Sequence, residues 1–384
     1  MFKDKLKELI TLLETWLSDP EDNVQLENWI ESAKIMVHSF DFSAIEEECV
    51  NYMLDLYIEQ FKQRLQQNHA IVTKDIPNIE YLDDLIGRKQ IEQRTPEWYK
   101  QMAEIISASE LGNLFAAPRQ RAKLVVSKTV PYPQRNQSLA VCSDKMSAFD
   151  WGIRFEPVVK QIYEYKYGTI IKELGRLHHP TDPRCTASPD GLIYHCPKNE
   201  RTGRLIEIKC PVTREIDGKV PKDYYAQMQM QLQVTGLKYC DYIEAKFVSP
   251  YNQIVHKDGP TLYQGWIALV RYEEMNSNQE FYYVYSPVNA NADWKPMIKD
   301  TEDIIEMIPW KLVQWSEQLI TRNEEWWTSL QPTINAFWED VEKAKRGEFT
   351  IPESTRPSKK PKIEQCMIQF HKVDENGNEL ELVE

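Results

Sequence analysis

Asp190 and Glu207 are two carboxylates set close together in the chain, and Lys209 follows the second at a spacing of two. They lie in Ser188-Pro189-Asp190-Gly191 and Leu205-Ile206-Glu207-Ile208-Lys209-Cys210-Pro211. Side chains alternate along a strand, so Glu207 and Lys209 share one face while Ile206 and Ile208 take the other. The apolar face can enter a core and the charged face can line a cleft. Two carboxylates and one ammonium at a strand end are the minimum set for metal-assisted phosphodiester hydrolysis. Carboxylates hold Mg²⁺, a hard cation that seeks oxygen. The cation lowers the pKa of bound water and offsets phosphate charge. A lysine, a compact point charge, orients that water. The bland alternative is a hairpin after Asp-Gly with a solvated Glu-x-Lys face, and the surrounding elements decide between the two.

Those elements read as follows. Phe149–Tyr167 has helical spacing, with Phe155, Val158, Val159, Ile162 and Tyr163 inward, and carries Glu156. Strands are predicted near 186–187, 191–194, 204–209, 239–248, 263–272 and 280–285. A helix over Tyr224–Thr235 carries a glutamine ladder, Gln227, Gln229, Gln231 and Gln233. Trp98–Phe115 reads as helical with a polar break at Ile106–Glu110, where Ser107 or Ser109 caps a second helix near Glu110. Residues 301–345 are predicted helical, and their tryptophans read as core packing rather than a base-stacking platform.

Residues 1–75 read as an acidic helical accessory domain, with a capping box at Ser43 and Glu46 opening a helix through about Gln67. Residues 76–90 read as a connector and 91–345 as the domain that carries the chemistry. Residues 346–384, with Pro352, Pro357 and Pro361 and no periodic apolar face, read as a disordered tail. Within it, 356–362 resembles a basic nuclear-localisation run, and 365–370 is a thin candidate docking motif.

The net charge of −13 argues against nucleic acid until it is divided: residues 1–93 hold 19 acidic and 9 basic residues, leaving the remainder near −3. Between Pro118 and Gln137, Arg119, Arg121, Lys123, Lys128 and Arg135 occur with no acid, a candidate phosphate-contacting loop. The first residues have no signal-like apolar run, and no stretch approaches the ~18–20 apolar residues of a membrane span. Seven scattered cysteines suit reduced thiols in cytoplasm or nucleus. His178, His179, Cys185, His195, Cys196 and Cys210 fit no common zinc spacing, and no four-cysteine iron–sulfur grouping is visible.

In order, the chain presents a tryptophan segment ending Ser-Ala-Ser-Glu, then Trp151-Gly152-Ile153-Arg154-Phe155-Glu156. Asp190, Glu207-Ile208-Lys209 and Tyr225-Ala226-Gln227 follow. Over roughly residues 90–285 this succession resembles the lambda exonuclease / YqaJ-type viral recombinase family, within the PD-(D/E)XK nuclease superfamily. The resemblance implies a restriction-endonuclease-like α/β (α+β) core, a small mixed sheet flanked by helices. It implies an exonuclease acting 5′ to 3′ on linear double-stranded DNA, leaving 3′ single strands for recombination or repair. Endonucleolytic cutting of DNA or RNA and a catalytically silent end-binding module remain the competing readings.

It further implies Asp190, Glu207 and the Ile208 carbonyl as ligands of Mg²⁺ (or Mn²⁺), Glu156 assisting them, and Lys209 activating water. Ser109, Ser188 and Gln227 match the family's pocket for a 5′-terminal phosphate, with Gln229 a less certain neighbour. The family's arginine four residues after the first-motif tryptophan is here Met102, and Arg94 and Lys100 are the candidates to replace it. Double-stranded DNA ends, a single-strand annealing protein and a homotrimeric ring are the implied partners. A virus-infected host cell is the implied setting.

Overall fold

The structure is a computed structural model. It describes residues 2–16, 23–72, 76–88, 95–130, 146–197, 200–249, 261–276 and 279–353. Arg94, Arg135, the run 356–362 and the segment 365–370 lie outside the described residues.

In chain order the elements are α1 (Phe2–Trp16), α2 (Asn23–Ser39), α3 (Ala44–Val72), α4 (Ile79–Gly87) and α5 (Pro96–Gln101). Next come β1 (Ile106–Ser107), a 3₁₀ helix (Ala108–Phe115), α6 (Pro118–Ser127) and α7 (Ala148–Tyr167). The strands β2 (Ile170–Lys172), β3 (Leu177–His178), β4 (Cys185–Ala187), β5 (Gly191–His195) and β6 (Leu205–Lys209) follow. The chain continues with α8 (Lys222–Thr235), β7 (Tyr239–Val248), β8 (Tyr263–Asn276), β9 (Gln279–Tyr285), β10 (Asp303–Thr321) and α9 (Glu324–Lys345).

Seven strands form a mixed sheet in the order β2-β5-β6-β7-β10-β8-β9, and β1-β4-β3 form a small second one. β5 and β6 are antiparallel, β6 and β7 parallel, with α8 as the crossover between the latter pair. Alternation along the strands feeds two cores. Ile206, Ile208, Ile243, Ala245 and Phe247 pack with α7 on one face. Leu205, Cys240 and Tyr242 pack on the other face with α4, the 3₁₀ helix, α8 and α9. The result is the mixed α/β architecture flanked by helices that the sequence implies, with a larger sheet. Helix α7 is held at its start by Ser147, whose side chain accepts from Asp150 N, and stops at Gly168 in a left-handed conformation (φ 62°).

Three sequence expectations change. Residues 303–321 are a 19-residue strand, not a helix, and helix begins only at Glu324. Ile308, Trp310 and Leu312 are buried at every second position, a strand period that the abundance of tryptophan obscures. β10 pairs with β8 over 303–312 and with β7 over 311–321. Pro309 therefore falls where only β8 is paired, and its missing N–H costs no ladder bond on the other side. Trp310, Trp327 and Trp338 are buried, as expected for core packing.

The basic stretch expected as a loop opens with α6 over Pro118–Ser127, and two cations among its described residues are already engaged. Arg121 pairs with Asp340 at 2.8 Å, and Lys128, 2% exposed, pairs with Glu110 at 2.9 Å. The cap at the polar break is Ser107, in a box with Glu110, and the helix it opens is 3₁₀.

The segment 76–90, expected as a connector, carries α4, whose Leu82 and Leu85 are fully buried in the main core. α1–α3 enclose a separate core of Leu9, Trp29, Ala33, Val37, Val50, Leu54 and Ile58. Ser43 and Glu46 form the expected capping box at the start of α3. Among the described residues no helix is long and apolar enough to cross a membrane.

Candidate active site

β5 and β6 pair through Gly191↔Ile206 and Leu192↔Leu205, and Ile193 N–H donates to Arg204 O beyond them. Past Gly191↔Ile206 the two strands part, and Asp190 and Glu207 stand at the opening. Gly191 makes this approach possible, since a Cβ there would come within 2.6 Å of the Ile171 side chain and 3.0 Å of Ile206. The backbone N–H of Ile208 donates to Asp190 Oδ2 at 2.7 Å, bridging the gap the ladder leaves. N–H and C=O of one strand residue point to the same side. The Ile208 carbonyl is thus directed to the edge where Asp190 sits.

Glu207 is fully buried. Its carboxylate accepts from Gln227 Nε2 at 2.7 Å and Gln231 Nε2 at 2.6 Å, and is ion-paired with Lys209. Gln227 and Gln231 are four apart on α8, so both reach across the crossover to the same strand residue. The Lys209 ammonium lies 4.9 Å from the centre of the Tyr224 ring, one helix turn before Gln227. On the opposite face α7 brings Glu156, which pairs with Lys160 at 2.8 Å, and Lys160 is 3.5 Å from Glu173.

Electrostatics tie these groups together. Burial, then the Glu207 and Glu156 carboxylates, push the Asp190 carboxyl well above the usual carboxylate range, with Lys209 and the Ile208 N–H opposing. Burial works to lower the Lys209 pKa, yet Glu207 and Asp190 raise it above the ordinary lysine value. Lys160 behaves likewise: burial opposes its charge, while Glu156, Asp190 and Glu173 sustain it. The Cys210 thiol is pushed up by burial and then by Glu156 and Asp190. Acid groups from α7, β5 and β6 thus share one locality with too little positive charge to satisfy them all. Among the described residues, no three Asp, Glu, His or Cys are drawn together into a ready-made cage. Glu207 is instead closed on its glutamines and lysine, and Glu156 on Lys160.

Residues 97–238 match the family model of the YqaJ-like viral recombinase domain. Over this stretch the chain is similar to that family. An uncharacterized protein of Acanthamoeba polyphaga mimivirus is 25% identical, across 82% of this chain and 64% of that protein. The chain thus spans less than two thirds of that relative's length. Two solved structures are similar to the chain. An alkaline exonuclease (LHK-Exo) from Laribacter hongkongensis has a TM-score of 0.41 at 20% identity, and LHK-Exo in complex with dAMP has 0.39 at 22%. Each comparison covers 66% of this chain and 95% of the other.

Within residues 97–238, Asp190, Glu207, Lys209 and Gln227 are brought into direct contact or across a single strand gap. Ser109 and Ser188 are both exposed at the far end of the small sheet. β1 and β4 run parallel through Ile106↔Cys185 and Ser107↔Thr186, so each serine stands two residues past the last pair. Ser109 Oγ is 3.2 Å from Ser107 Oγ, and Ser107 does the capping. Gln229 is structural: its Nε2 donates to Thr321 O and its Oε1 accepts from Asn323 N, locking α8 to the β10–α9 junction.

Two contributors were not assigned a role from sequence. Gln231 was legible only as one rung of the glutamine ladder, and the i, i+4 spacing from Gln227 was its signal. Lys160 lies i+4 from Glu156, an ordinary surface-pair spacing that gave no reason to single it out. Gln231→Leu is expected to cost about 1–3 kcal/mol, the penalty for leaving a buried carboxylate oxygen without its donor. Urea denaturation of the variant checks this, and unchanged stability would mean Gln231 does not support Glu207.

Proposed function

We propose that the chain is a metal-dependent exonuclease that degrades one strand of linear duplex DNA from its 5′ end, leaving 3′ single strands. The observation that carries this is the convergence of Asp190, Glu207 and Lys209 at the opening between β5 and β6, with Gln227 and Gln231 fixing Glu207. The YqaJ-like match supports the choice of DNA and of recombination as the setting.

The donor set fits a hard divalent cation such as Mg²⁺. The Asp190 carboxyl is pushed up first by burial and then by two neighbouring carboxylates, and a cation beside it would favour its ionised form. Asp190, Glu207 and the Ile208 carbonyl would hold the ion, with Glu156 behind them. When bound, it supplies an activated water and offsets the charge that builds on the phosphorus oxygens. The remaining work falls to the chain. Lys209, charged and braced against the Tyr224 ring, orients the attacking water toward the scissile phosphorus. Gln227 and Gln231 keep Glu207 from swinging away as charge moves. The buried floor of Ile206 and Ile208 holds the strand rigid beneath the reaction.

Digestion of end-labelled linear duplexes bearing 5′-phosphate, 5′-hydroxyl or blocked 5′ ends tests the proposal, with Mg²⁺ and with EDTA. The expected result is release from the 5′ end with Mg²⁺ and none with EDTA. Cutting of closed circles as fast as linear duplex would instead establish an endonuclease. Mg²⁺-independent digestion would remove the metal from the mechanism.

A further inference from the structure

Arg176 is a buried guanidinium with no ion-paired anion among the described residues. It is 8% exposed and immediately precedes β3. Its Nη1 donates to Gln101 Oε1 at 3.1 Å and its Nη2 to Met102 Sδ at 3.1 Å, one a neutral amide oxygen and the other a weak thioether acceptor. Its guanidinium carbon lies 4.2 Å from the centre of the Trp98 ring, a cation–π stack. Among the described residues no carboxylate is ion-paired with it. Glu110 is the acid that acts on it electrostatically, and both Glu110 oxygens are engaged by Lys128 at 2.9 and 3.0 Å. Burial pulls the Arg176 pKa down to about 10, which still leaves it a cation at neutral pH. The adjoining Trp98 indole N–H is also buried without an acceptor among the described residues. Folding a charge away from water with only neutral partners is costly, and an incoming anion removes that cost.

Sheet register sets Arg176 beside the two serines that the resemblance links to a 5′-terminal phosphate. β3 and β4 pair as Leu177↔Ala187 and His178↔Thr186, so Arg176 and Ser188 are the next residues across from each other. β1 and β4 run parallel through Ser107↔Thr186, which carries Ser109 to the same end. A forked cation and two hydroxyl-bearing serines therefore meet at one end of the three-stranded sheet, and Asp190 follows Ser188 by two residues. We infer that Arg176 is the residue that grips the 5′-terminal phosphate of the DNA strand, its fork exchanging Gln101 and Met102 for phosphate oxygens while Ser109 and Ser188 donate beside it. This rests on the 5′-end exonuclease reading above. It also places a guanidinium against Met102, the position at which the resembled family carries its arginine.

The test uses the full chain and linear duplexes differing only in 5′-phosphate or 5′-hydroxyl. Binding is read in Ca²⁺ and single-turnover hydrolysis in Mg²⁺. The wild-type chain is expected to favour the phosphorylated end. In Arg176→Gln that preference is expected to fall at least about tenfold, the loss of a charge-assisted hydrogen bond. Arg176→Lys keeps the cation over Trp98 but loses the fork, and is expected to lose preference by a smaller factor. Met102→Arg added to Arg176→Gln is expected to restore it, because Met102 Sδ already touches the guanidinium.

Unchanged preference in Arg176→Gln, with melting showing a folded protein, overturns the inference and leaves Arg176 a packing residue on Trp98. If Arg176→Gln does not fold, full preference in Arg176→Lys overturns the forked contact. Wild-type hydrolysis with no 5′-phosphate preference overturns the inference while the nuclease reading stands. Phosphate-dependent end binding that Arg176→Gln abolishes, without hydrolysis by the wild type, sinks the nuclease reading and supports the inference.

Discussion

Lys209→Ala is expected to slow Mg²⁺-dependent digestion of linear duplex by about 10²–10⁴-fold, the range for removing a group that handles a proton or orients water in the reaction. The fold should survive. Glu207 keeps two amide donors, Gln227 and Gln231, and Lys209 sits at the last residue of β6, where it retains some solvent contact. Single-turnover digestion checks the rate, and thermal melting checks that the loss is chemical. Wild-type rates in a folded Lys209→Ala protein would remove the lysine from the mechanism. The raised pKa of Lys209 sharpens the expectation. Because Glu207 and Asp190 favour its ammonium form, the role expected of it is that of a cation positioning or stabilising hydroxide rather than of a neutral base taking a proton.

Glu110→Gln is expected to cost about 3–5 kcal/mol of stability, the penalty for stranding one member of a buried ion pair. Lys128 is 2% exposed, and its ammonium is held by both Glu110 oxygens and by the Met102 carbonyl. Burial, the largest influence on Lys128, lowers its pKa, and Glu110 opposes that. The glutamine keeps an oxygen for the cap on Ser107, so the loss isolates the charge. Chemical denaturation measures it, and Glu110→Gln/Lys128→Met, which removes both charges, is expected to recover most of the difference. A loss below about 1 kcal/mol in the single variant, the worth of an exposed pair, would show that water reaches Lys128 in solution.

These two lysines mark where the sequence was legible and where it was not. Lys209 declared itself by period: Glu-x-Lys between isoleucines can only place both charges on one face of a strand, and β6 does so. Lys128 sat in an acid-free basic stretch and resembled a DNA contact. Its partner is eighteen residues earlier, across the fold between α6 and the 3₁₀ helix, and no local pattern reports such a pairing. The same limit applies to Arg176, whose neighbours come from α5. The error at 303–321 has a different origin. Aromatic residues are as frequent in strands as in cores of any kind, so the tryptophans fixed burial without fixing period. Helices α7 and α8 were readable because their inward residues recur over many turns, and β7 because its ten residues alternate between two cores. What sequence could not supply was the far partner of each buried polar group. Gln229 and Gln231 are adjacent on one ladder, yet one seals a helix junction and the other holds the Glu207 carboxylate.

The glutamine clamp also sets a schedule for the growing chain. Glu207 is fixed from α8, and β6 is fixed by parallel pairing with β7, which joins residues 205–209 to 240–244. Parallel pairing needs its crossover helix in place first and is among the slower contacts to form. A ribosome that has delivered Asp190, Glu207 and Lys209 has therefore not yet delivered a working site, since the helix and strand that hold them are still to be made. The nuclease activity proposed for the chain, hazardous to nearby nucleic acid, would thereby be withheld until synthesis has passed β7.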